Sequence, residues 1–542
     1  MKTSEAIAEI LRREGIDTLF AYPRNAVIED AAKAGIRPII VRQERTGLHM
    51  ADALSRMTRG RRLGAFAMQH GPGTENAYGG VAQAFSESVP ILVMPMGYAR
   101  RLAHVPGNYN AARSMLDISK SCEALNLASE VAPVLRRAFT ALRNGRGGPA
   151  IVELPWDVLA EDVGDDVDYR PVATSRCAPD PQSIDEAARL LVEAKRPVIH
   201  AGQGVHWAEA YSELKQLAEL LAAPVSTSLE GKSAFDETHP LSIGSGGAAI
   251  PGQLRHFLDR SDVILGIGCS FAETAFGVSM PQGKCVIHAT LDPRDFNRGV
   301  ECTVALAGDA KLTLAALVQA VRSRLAATRD ATEVAAEIAD VETQWMKDWL
   351  PLLEAEDAPL SPYRVLWDLQ HTVDVANTII THDAGSPRDQ LSPFWKCTQP
   401  LTYIGWGKST QLGYGLGLAM GAKLACPDKL CINVWGDAAI GFTGMDFETA
   451  ARERLPILSI LLNNSAMAIE LDVMPEATER FRVTDISGDY AAFAQSLGGY
   501  GERIEKPEDI IPAIRRGIAA VKSGTPALLE FITGKEKRAS RI

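Results

Sequence analysis

Short apolar runs alternate with helix-period segments along nearly the whole chain. The runs are rich in Val and Ile, and we predict them to be strands: 38–41, 64–68, 90–96, 149–154, 197–202, 263–268, 285–291, 378–385, 430–436, 457–464 and 526–532. Short buried strands separated by helices are typical of parallel sheets covered by helices on both faces. The pattern therefore predicts an α/β protein built from doubly wound parallel sheets.

Two polar segments interrupt this alternation. The first, 161–183, is acidic and then rich in Pro and Ser, and the second, 354–364, follows a charged helical stretch. A chain of 542 residues is long enough for three domains at roughly 100–200 residues each. The two segments therefore predict domains at 1–165, 183–330 and 358–542.

Composition narrows the class of protein. Hydrophobic residues make up 46% and charged residues 23% of the chain, which is ordinary for a globular protein. The net charge of −11 argues against a nucleic-acid partner. The eight cysteines are scattered without a CxxC pair, which indicates a reducing compartment.

The N-terminus predicts an amphipathic helix with Ala6, Ile7, Ile10 and Leu11 on one face. Acidic residues throughout this segment exclude a signal peptide or a membrane span. We expect a cytoplasmic protein that has no membrane partner.

Polar side chains stand at the ends of two predicted strands. Asp437 follows the strand 430–436, and Asn464 ends the strand 457–464, 27 positions later. That spacing is typical of one strand–helix–strand unit. Ligands of open α/β sheets bind at the carboxyl ends of the strands, so we expect both side chains to line one site.

The turn at Asp437 favours a phosphate group. Gly436, Ala438 and Ala439 leave backbone amides open, and such a turn can cradle a phosphate at the start of a helix. A carboxylate repels phosphate unless a cation lies between them, and Mg²⁺ takes oxygen ligands from carboxylates and phosphates. Asn464 would add a neutral oxygen. Either turn alone is more often an ordinary turn, and the pair is the specific signal.

The segment 436–464 resembles the thiamin-diphosphate motif that begins Gly-Asp-Gly and ends Asn-Asn, as in acetolactate synthases and related enzymes. The resemblance implies a pyrimidine-binding, a central Rossmann-like and a diphosphate-binding domain. It implies thiamin diphosphate and Mg²⁺ as cofactors, with the metal on Asp437, Asn464 and the backbone carbonyl of Ala466. Ala438 replaces the usual third Gly, which the turn tolerates if φ stays negative.

Other stretches extend the resemblance on the diphosphate side. In 409–425, Leu412 takes the position of the residue that bends the cofactor, and Thr410 that of a carbonyl acceptor for the aminopyrimidine. A core leucine in a Gly-rich turn is the plain alternative for Leu412. The resemblance also implies cofactor contacts from Ala384, Gly385, Ser386 and Met467.

The first domain supplies the activating carboxylate in this family. Glu44 follows a predicted strand and precedes a helix, where the family has a glutamate that hydrogen-bonds to the aminopyrimidine. Gly73 and Asn76 match a stretch that packs on the pyrimidine half. His70 stands nearby, either as a proton carrier or as a structural histidine. The resemblance further implies a homodimer or homotetramer in which Glu44 faces Asp437 of the partner subunit.

The implied reaction makes or breaks a carbon–carbon bond beside a carbonyl. The substrates would be 2-oxo acids, aldehydes or hydroxy ketones, with decarboxylation followed by carboligation or by aldehyde release. Acetolactate synthesis itself stays open, because Val473 replaces a pocket Trp and Asn110-Ala111 replace a Phe-Gln pair. Glu470 lies at the offset of a substrate-facing glutamate in pyruvate-decarboxylase-like enzymes; otherwise it is a surface residue.

The sequence is also compatible with other functions. One is a 2-hydroxyacyl-CoA lyase or oxalyl-CoA decarboxylase, and another is a hydroxy-ketone lyase of the benzaldehyde lyase type. A non-catalytic regulatory homologue is disfavoured, since Glu44, Asp437 and Asn464 are all present. The sequence does not support FAD or ADP in the central domain, where the GxG at 202–204 is too short for a dinucleotide fingerprint.

Overall fold

The computed structural model describes residues 1–541. It contains three six-stranded sheets, and every strand pair in them is parallel. Helices cover both faces of each sheet, so the predicted α/β class with three doubly wound parallel sheets is confirmed.

The first sheet has the strand order β2-β1-β3-β4-β6-β5. Its strands are β1 Thr18–Ala21, β2 Arg37–Ile40, β3 Gly64–Met68, β4 Ile91–Gly97, β5 Ser121–Ala124 and β6 Ala150–Pro155. The helices around it are α1 Thr3–Arg13, α2 Ala26–Lys33, α3 Glu44–Met57, α4 Pro72–Ser86, α5 Ala111–Ser114, α6 Val131–Arg143 and α7 Trp156–Leu159.

The second sheet has the order β12-β11-β10-β7-β8-β9. Its strands are β7 Pro197–Ala201, β8 Val225–Ser228, β9 Ser242–Gly246, β10 Val263–Ile267, β11 Cys285–Thr290 and β12 Val304–Ala307. The helices are α8 Pro181–Glu193, α9 Gly204–Ala208, α10 Tyr211–Leu221, α11 Gly252–Arg260 and α12 Ala310–Arg322, followed by the connecting helix α13 Thr332–Leu353.

The third sheet has the order β14-β13-β15-β16-β18-β17. Its strands are β13 Thr378–His382, β14 Tyr403–Ile404, β15 Leu430–Gly436, β16 Leu458–Asn463, β17 Tyr500–Ile504 and β18 Ala527–Ile532. Its helices are α14 Pro362–Thr372, α15 Ser386–Leu391, α16 Tyr414–Ala425, α17 Asp437–Thr443, α18 Phe447–Arg452, α19 Pro475–Phe481, α20 Tyr490–Ser496 and α21 Ile510–Lys522.

The predicted strand–helix–strand unit is present in the third sheet. β15 and β16 are parallel neighbours, with Gly436 opposite Leu462. Their carboxyl ends therefore lie side by side, and Asp437 and Asn464 follow at the same edge. The N-terminal helix is confirmed as well, because Ala6, Ile7, Ile10 and Leu11 are all buried.

The first and third domains pack closely through α3 and α16. A Cβ placed on Gly421 of α16 would lie 2.4 Å from the backbone oxygen of Met50, and one on Gly417 would lie 2.4 Å from the Cβ of His49. Glycine is therefore required at both positions for the two helix backbones to approach this closely.

Two further features concern the environment of the chain. All eight cysteines are free thiols, as the scattered spacing predicts. Within residues 1–541, none of the helices combines the length and apolarity that a membrane crossing requires.

Candidate cofactor site

Asp437 occupies the first position of α17, directly after the central strand β15. Its side chain is only 4% exposed. The carboxylate accepts hydrogen bonds from the N–H groups of Ala438 at 3.0 Å and Ala466 at 3.3 Å. Burial raises the pKa of Asp437, and these N–H groups partly offset the effect. A bound cation would favour the charged carboxylate further.

Asn464 converges on the same point. Its Oδ1 accepts from the N–H of Ala466 at 3.0 Å, so this N–H faces both Asn464 and Asp437. A carboxylate oxygen, an amide oxygen and the backbone of Ala466 thus share one small region. Hard oxygen donors are the ligands that Mg²⁺ prefers, and a single carboxylate leaves room for phosphate oxygens and water. These residues fit the expected metal.

The small residues of the turn also fit. Ala438 lies inside α17 with helical backbone angles, so a methyl group replaces the usual Gly hydrogen without strain. Ala439 is buried, and a Cβ placed on Gly436 would lie 3.9 Å from Pro387. The loop 384–386 therefore borders the turn at Gly436. Gly385 in that loop has φ +86°, and Ser386 begins α15.

Asp383 ties this loop to the segment before α16, a role that the sequence reasoning missed. Its carboxylate accepts from the N–H groups of Ala384, Gly413 and Gly415 at 2.8, 2.9 and 3.0 Å. Burial raises the pKa of Asp383 to about 6, against the lowering by these N–H groups. The only sequence signal was an acidic residue after β13, at the edge that carries Asp437.

Thr410 lies in a left-handed backbone conformation, with φ +47°. This is uncommon for a β-branched residue and marks a backbone held by its surroundings. Gln83 of α4 and Glu87, the residue after this helix, hold it: Glu87 accepts from the N–H of Lys408 at 2.8 Å, and Gln83 accepts from that of Gln411 at 3.2 Å.

Leu412 follows in the same segment and is half-buried against the core. One side of this leucine therefore packs on the protein while the other stays open to a ligand. The pair Gln83 and Glu87, which positions the segment, was not identified from the sequence.

Glu44 begins α3 and is 1% exposed. Burial raises the pKa of its carboxyl, as does the charge of Asp446, whereas Asn76 lowers it. The Oε1 atom is buried without a hydrogen-bond partner in the described part of the chain. An unpartnered buried carboxylate oxygen is costly, and a donor on a bound ligand would relieve that cost. Gly73, near Asn76 on α4, packs tightly against Met68 and Gln69.

Within one chain, the start of α3 faces the far end of α17. The N–H of Arg42 donates to Asp446 at 2.7 Å, and the Arg45 guanidinium lies 5.7 Å from the centre of the Phe442 ring. Asp446 follows Asp437 by nine positions, roughly 14 Å at the rise of a helix. The fold of a single chain therefore places Glu44 beside Asp446 and away from Asp437.

The remaining predicted residues lie on loops at the carboxyl edges of the first and third sheets. His70 stacks edge-on against Tyr98 and Trp156. Met467 is exposed, and Glu470 is half-buried in the single 3₁₀ turn Ala468–Leu471. A Cβ on Gly385 would lie 3.8 Å from Ile469, so this turn borders the loop 384–386.

A separate cavity of about 610 Å³ lies between the first and central domains. Its lining holds six basic side chains, Arg59, Arg61, Arg143, Arg146, Arg176 and Lys408, against four acidic ones, Glu230, Glu273, Asp295 and Asp309. Gln203 and Gly204 of the GxG segment also border it. Its size and charge suit a phosphate-bearing ligand.

Comparison with known proteins agrees with this geometry. Three family models match the chain: the N-terminal TPP binding domain of thiamine pyrophosphate enzymes over residues 1–120, the central domain over 184–317 and the C-terminal TPP binding domain over 383–531. Thiamine pyrophosphate is thiamin diphosphate. The protein therefore belongs to the thiamine pyrophosphate enzyme family.

Within that family the chain is acetolactate synthase-like. It is 29% identical to the probable acetolactate synthase large subunit of Methanocaldococcus jannaschii, over 98% of this chain and 92% of the relative. It is 28% identical to the acetolactate synthase large subunit of Corynebacterium glutamicum, over 99% and 87%. For acetolactate synthase isozyme 3 large subunit of Escherichia coli the identity is 26%, over 96% and 92%.

Proposed function

We propose that this protein binds thiamin diphosphate and Mg²⁺ at the carboxyl edge of the third sheet and makes or breaks a carbon–carbon bond next to a carbonyl. One observation carries the proposal. The oxygens of Asp437 and Asn464 converge on a single N–H, that of Ala466, beside the start of α17. Such a set of oxygens suits a divalent cation that bridges to a diphosphate.

The other predicted residues have defined tasks in this proposal. Gly436, Ala438, Ala439 and the loop Ala384–Ser386 would hold the diphosphate, and the Thr410 carbonyl and Leu412 would orient the rings. When bound, the cofactor supplies the electron sink for carbon–carbon chemistry. Glu44 would share a proton with the aminopyrimidine, since its buried Oε1 has no partner in the described part of the chain and a hydrogen bond to that ring would satisfy it.

Two subunits would form each site. Within one chain α3 faces Asp446, so the Glu44 that serves Asp437 would come from the partner subunit. Apolar side chains stand exposed on both outer domains, which is typical of a surface that another protein covers; they include Leu116, Leu127, Val473 and Phe481. We infer a homodimer, or a dimer of dimers. We also infer a cytoplasmic location, supported by the eight free cysteines.

The substrate would be a 2-oxo acid, an aldehyde or a hydroxy ketone. Glu470 lies in the turn beside the loop 384–386, where it could exchange a proton with a bound substrate. The test is carbon dioxide release from a panel of 2-oxo acids with Mg²⁺ and thiamin diphosphate, with products identified by NMR. A hydroxy-ketone product would indicate a synthase, and free aldehyde a decarboxylase. No release from any acid would contradict 2-oxo acid decarboxylation and favour lyase chemistry on hydroxy ketones or acyl-CoA thioesters.

The cavity beside the central domain favours one addition to this proposal. Its basic lining supports a nucleotide-type ligand there, such as FAD or ADP, which the sequence alone did not support. The C-terminal arginines are less suited to a coenzyme A ligand, because Arg538 stacks on Trp349 and Arg541 pairs with Asp389.

A further inference from the structure

Four neighbouring strands of the first sheet end in a cluster of cationic and aromatic residues. β1, β3, β4 and β6 are adjacent in the sheet. Shortly after their carboxyl ends come Arg24, His70, Tyr98 and Trp156, respectively. Ligands of parallel sheets bind at this edge. Of the four, only His70 is a predicted site residue.

The three rings are arranged edge-on. The His70 ring centre lies 4.7 Å from that of Tyr98 and 4.9 Å from that of Trp156. Trp156 is nevertheless 36% exposed. Edge-to-face rings with an open side form an apolar wall on which a flat group can lie.

His70 offers this wall an open hydrogen-bonding position beside a positive charge. The Nδ1 atom of His70 is buried without a hydrogen-bond partner in the described residues. Burial and the positive charge of Arg24 both lower the pKa of His70, so the field of the Arg24 guanidinium reaches this ring.

The Arg24 guanidinium remains available. It is exposed, and within residues 1–541 it takes part in no ion pair. A planar guanidinium pairs with a carboxylate through two parallel hydrogen bonds, which gives both affinity and orientation.

We propose that Arg24 is a specificity-determining residue that binds the carboxylate of the substrate, while His70, Tyr98 and Trp156 hold a flat apolar group attached to it. The preferred substrates are then carboxylic acids with a planar side chain. The inference rests on the proposed function, in which a 2-oxo acid is one of the substrate classes. His70 of this cluster lies just before Gly73 and Asn76, which match the stretch that packs on the pyrimidine half of the cofactor.

The test uses an unreactive pair of ligands on the protein loaded with thiamin diphosphate and Mg²⁺. Benzoate and benzamide have the same shape, and only benzoate carries a carboxylate. We expect the wild type to bind benzoate at least about tenfold more tightly, as measured by tryptophan fluorescence or ligand-observed NMR. Arg24→Gln should abolish the preference, and Arg24→Lys should retain part of it.

Arg515→Gln is the matched control, because Arg515 is an exposed arginine of α21, outside every site proposed here, and within residues 1–541 it takes part in no ion pair either. It should leave the preference unchanged. In turnover, Arg24→Gln should raise KM for phenylglyoxylate while changing kcat little, and Trp156→Leu should weaken both benzoate and benzamide.

No preference in the wild type, or a preference that survives Arg24→Gln, would overturn the inference. Thiamin diphosphate binding, titrated separately, tests the proposed function by itself. If the protein does not bind thiamin diphosphate but prefers benzoate in an Arg24-dependent way, the subsite is supported and the proposed function is contradicted.

Discussion

Three buried carboxylates of this protein share a raised pKa and differ in their hydrogen-bond partners. Glu44, Asp383 and Asp437 are all buried, and burial raises the pKa of each. Their partners differ. The Asp383 carboxylate accepts hydrogen bonds from three backbone N–H groups, whereas Oε1 of Glu44 has no hydrogen-bond partner within residues 1–541. Asp383 therefore joins two loops, and Glu44 has an oxygen that a bound ligand can hydrogen-bond.

The first prediction concerns Glu44. Glu44→Gln should lower turnover by about 10²–10⁴-fold, because an amide cannot exchange a proton with the aminopyrimidine. Steady-state rates and cofactor titration are the measurements. Glu29→Gln on the exposed face of α2 is the control and should keep full activity. Unchanged turnover in Glu44→Gln would exclude the activating role.

The second prediction concerns the metal. Asp437→Asn should weaken thiamin diphosphate binding in the presence of Mg²⁺ by at least about 10–100-fold, since the only carboxylate of the ligand set loses its charge. Calorimetric titration of the cofactor measures the loss. Asp428→Asn, an exposed aspartate in the turn before β15, should bind as the wild type does. Equal affinities for both variants would show that Asp437 holds no metal.

The third prediction concerns pH. Asp383 has a pKa of about 6, and once protonated it can no longer accept all three N–H groups. Cofactor affinity should therefore fall as the pH drops through about 6. Affinities measured between about pH 5 and pH 8 test this, with Asp383→Asn as the comparison because the diphosphate also titrates near about pH 6. Identical profiles for both proteins would assign the effect to the diphosphate.

The raised pKa of Asp383 affects the free energy of unfolding in the opposite direction from cofactor affinity. The folded pKa of Asp383 lies above that of an unfolded aspartate, about 3.9. The native state then binds more protons between about pH 4 and pH 6, so the contribution of this group to the unfolding free energy decreases as the pH rises through that window.

At the scale of elements, the contact between α3 and α16 joins the two halves of the site. α3 begins with Glu44, and α16 follows the segment of Thr410 and Leu412. Glycines at 417 and 421 let the helix backbones approach. The contact therefore sets the position of the cofactor segment relative to the first domain.

The fourth prediction tests that contact. Gly421→Ala would place a methyl group 2.4 Å from the backbone oxygen of Met50, and should destabilise the fold by about 1–3 kcal/mol. Gly441→Ala on α17 is the control, because a Cβ there meets nothing within 4 Å, and it should be neutral or stabilising by up to about 1 kcal/mol. Denaturant unfolding compares them. Equal stability would mean that the helices separate easily.

At the scale of the whole molecule, the central question is which chains supply Glu44 and Asp437 to one site. In a single chain the start of α3 reaches Asp446, and exposed apolar side chains remain on both outer domains. A second copy would cover those side chains and bring its own Glu44. The active unit would then be a dimer.

The fifth prediction follows from that arrangement. Glu44→Gln and Asp437→Asn subunits, each inactive alone, should regain activity when co-expressed, because a mixed dimer contains one fully native site. Purified mixed dimers should recover about half of the wild-type rate, and a random mixture about a quarter. Recovery with purified, doubly tagged mixed dimers is the measurement, and Glu44→Gln mixed with itself is the control. Failure to recover would place both residues of one site in a single chain.

The sequence pattern predicted most of the central strands and few of the strands at the sheet edges. All of the eleven predicted strands are present, because buried central strands are continuous apolar runs. Seven more strands were missed: β1, β5, β8, β9, β12, β14 and β17. Five of these lie at sheet edges. Edge strands are half-exposed and short, so no apolar run marks them; the burial of β12 alternates, and β14 has two residues.

The sequence by itself determined the fold class and the two strand ends that carry Asp437 and Asn464, since periodicity and spacing are local properties. Only the tertiary structure decided which distant groups meet: Asp383 with the amides before α16, Gln83 and Glu87 with the segment of Thr410, and His70 with the rings of Tyr98 and Trp156. Those contacts join residues far apart in the chain. They depend on strand order and domain packing, which no local pattern encodes.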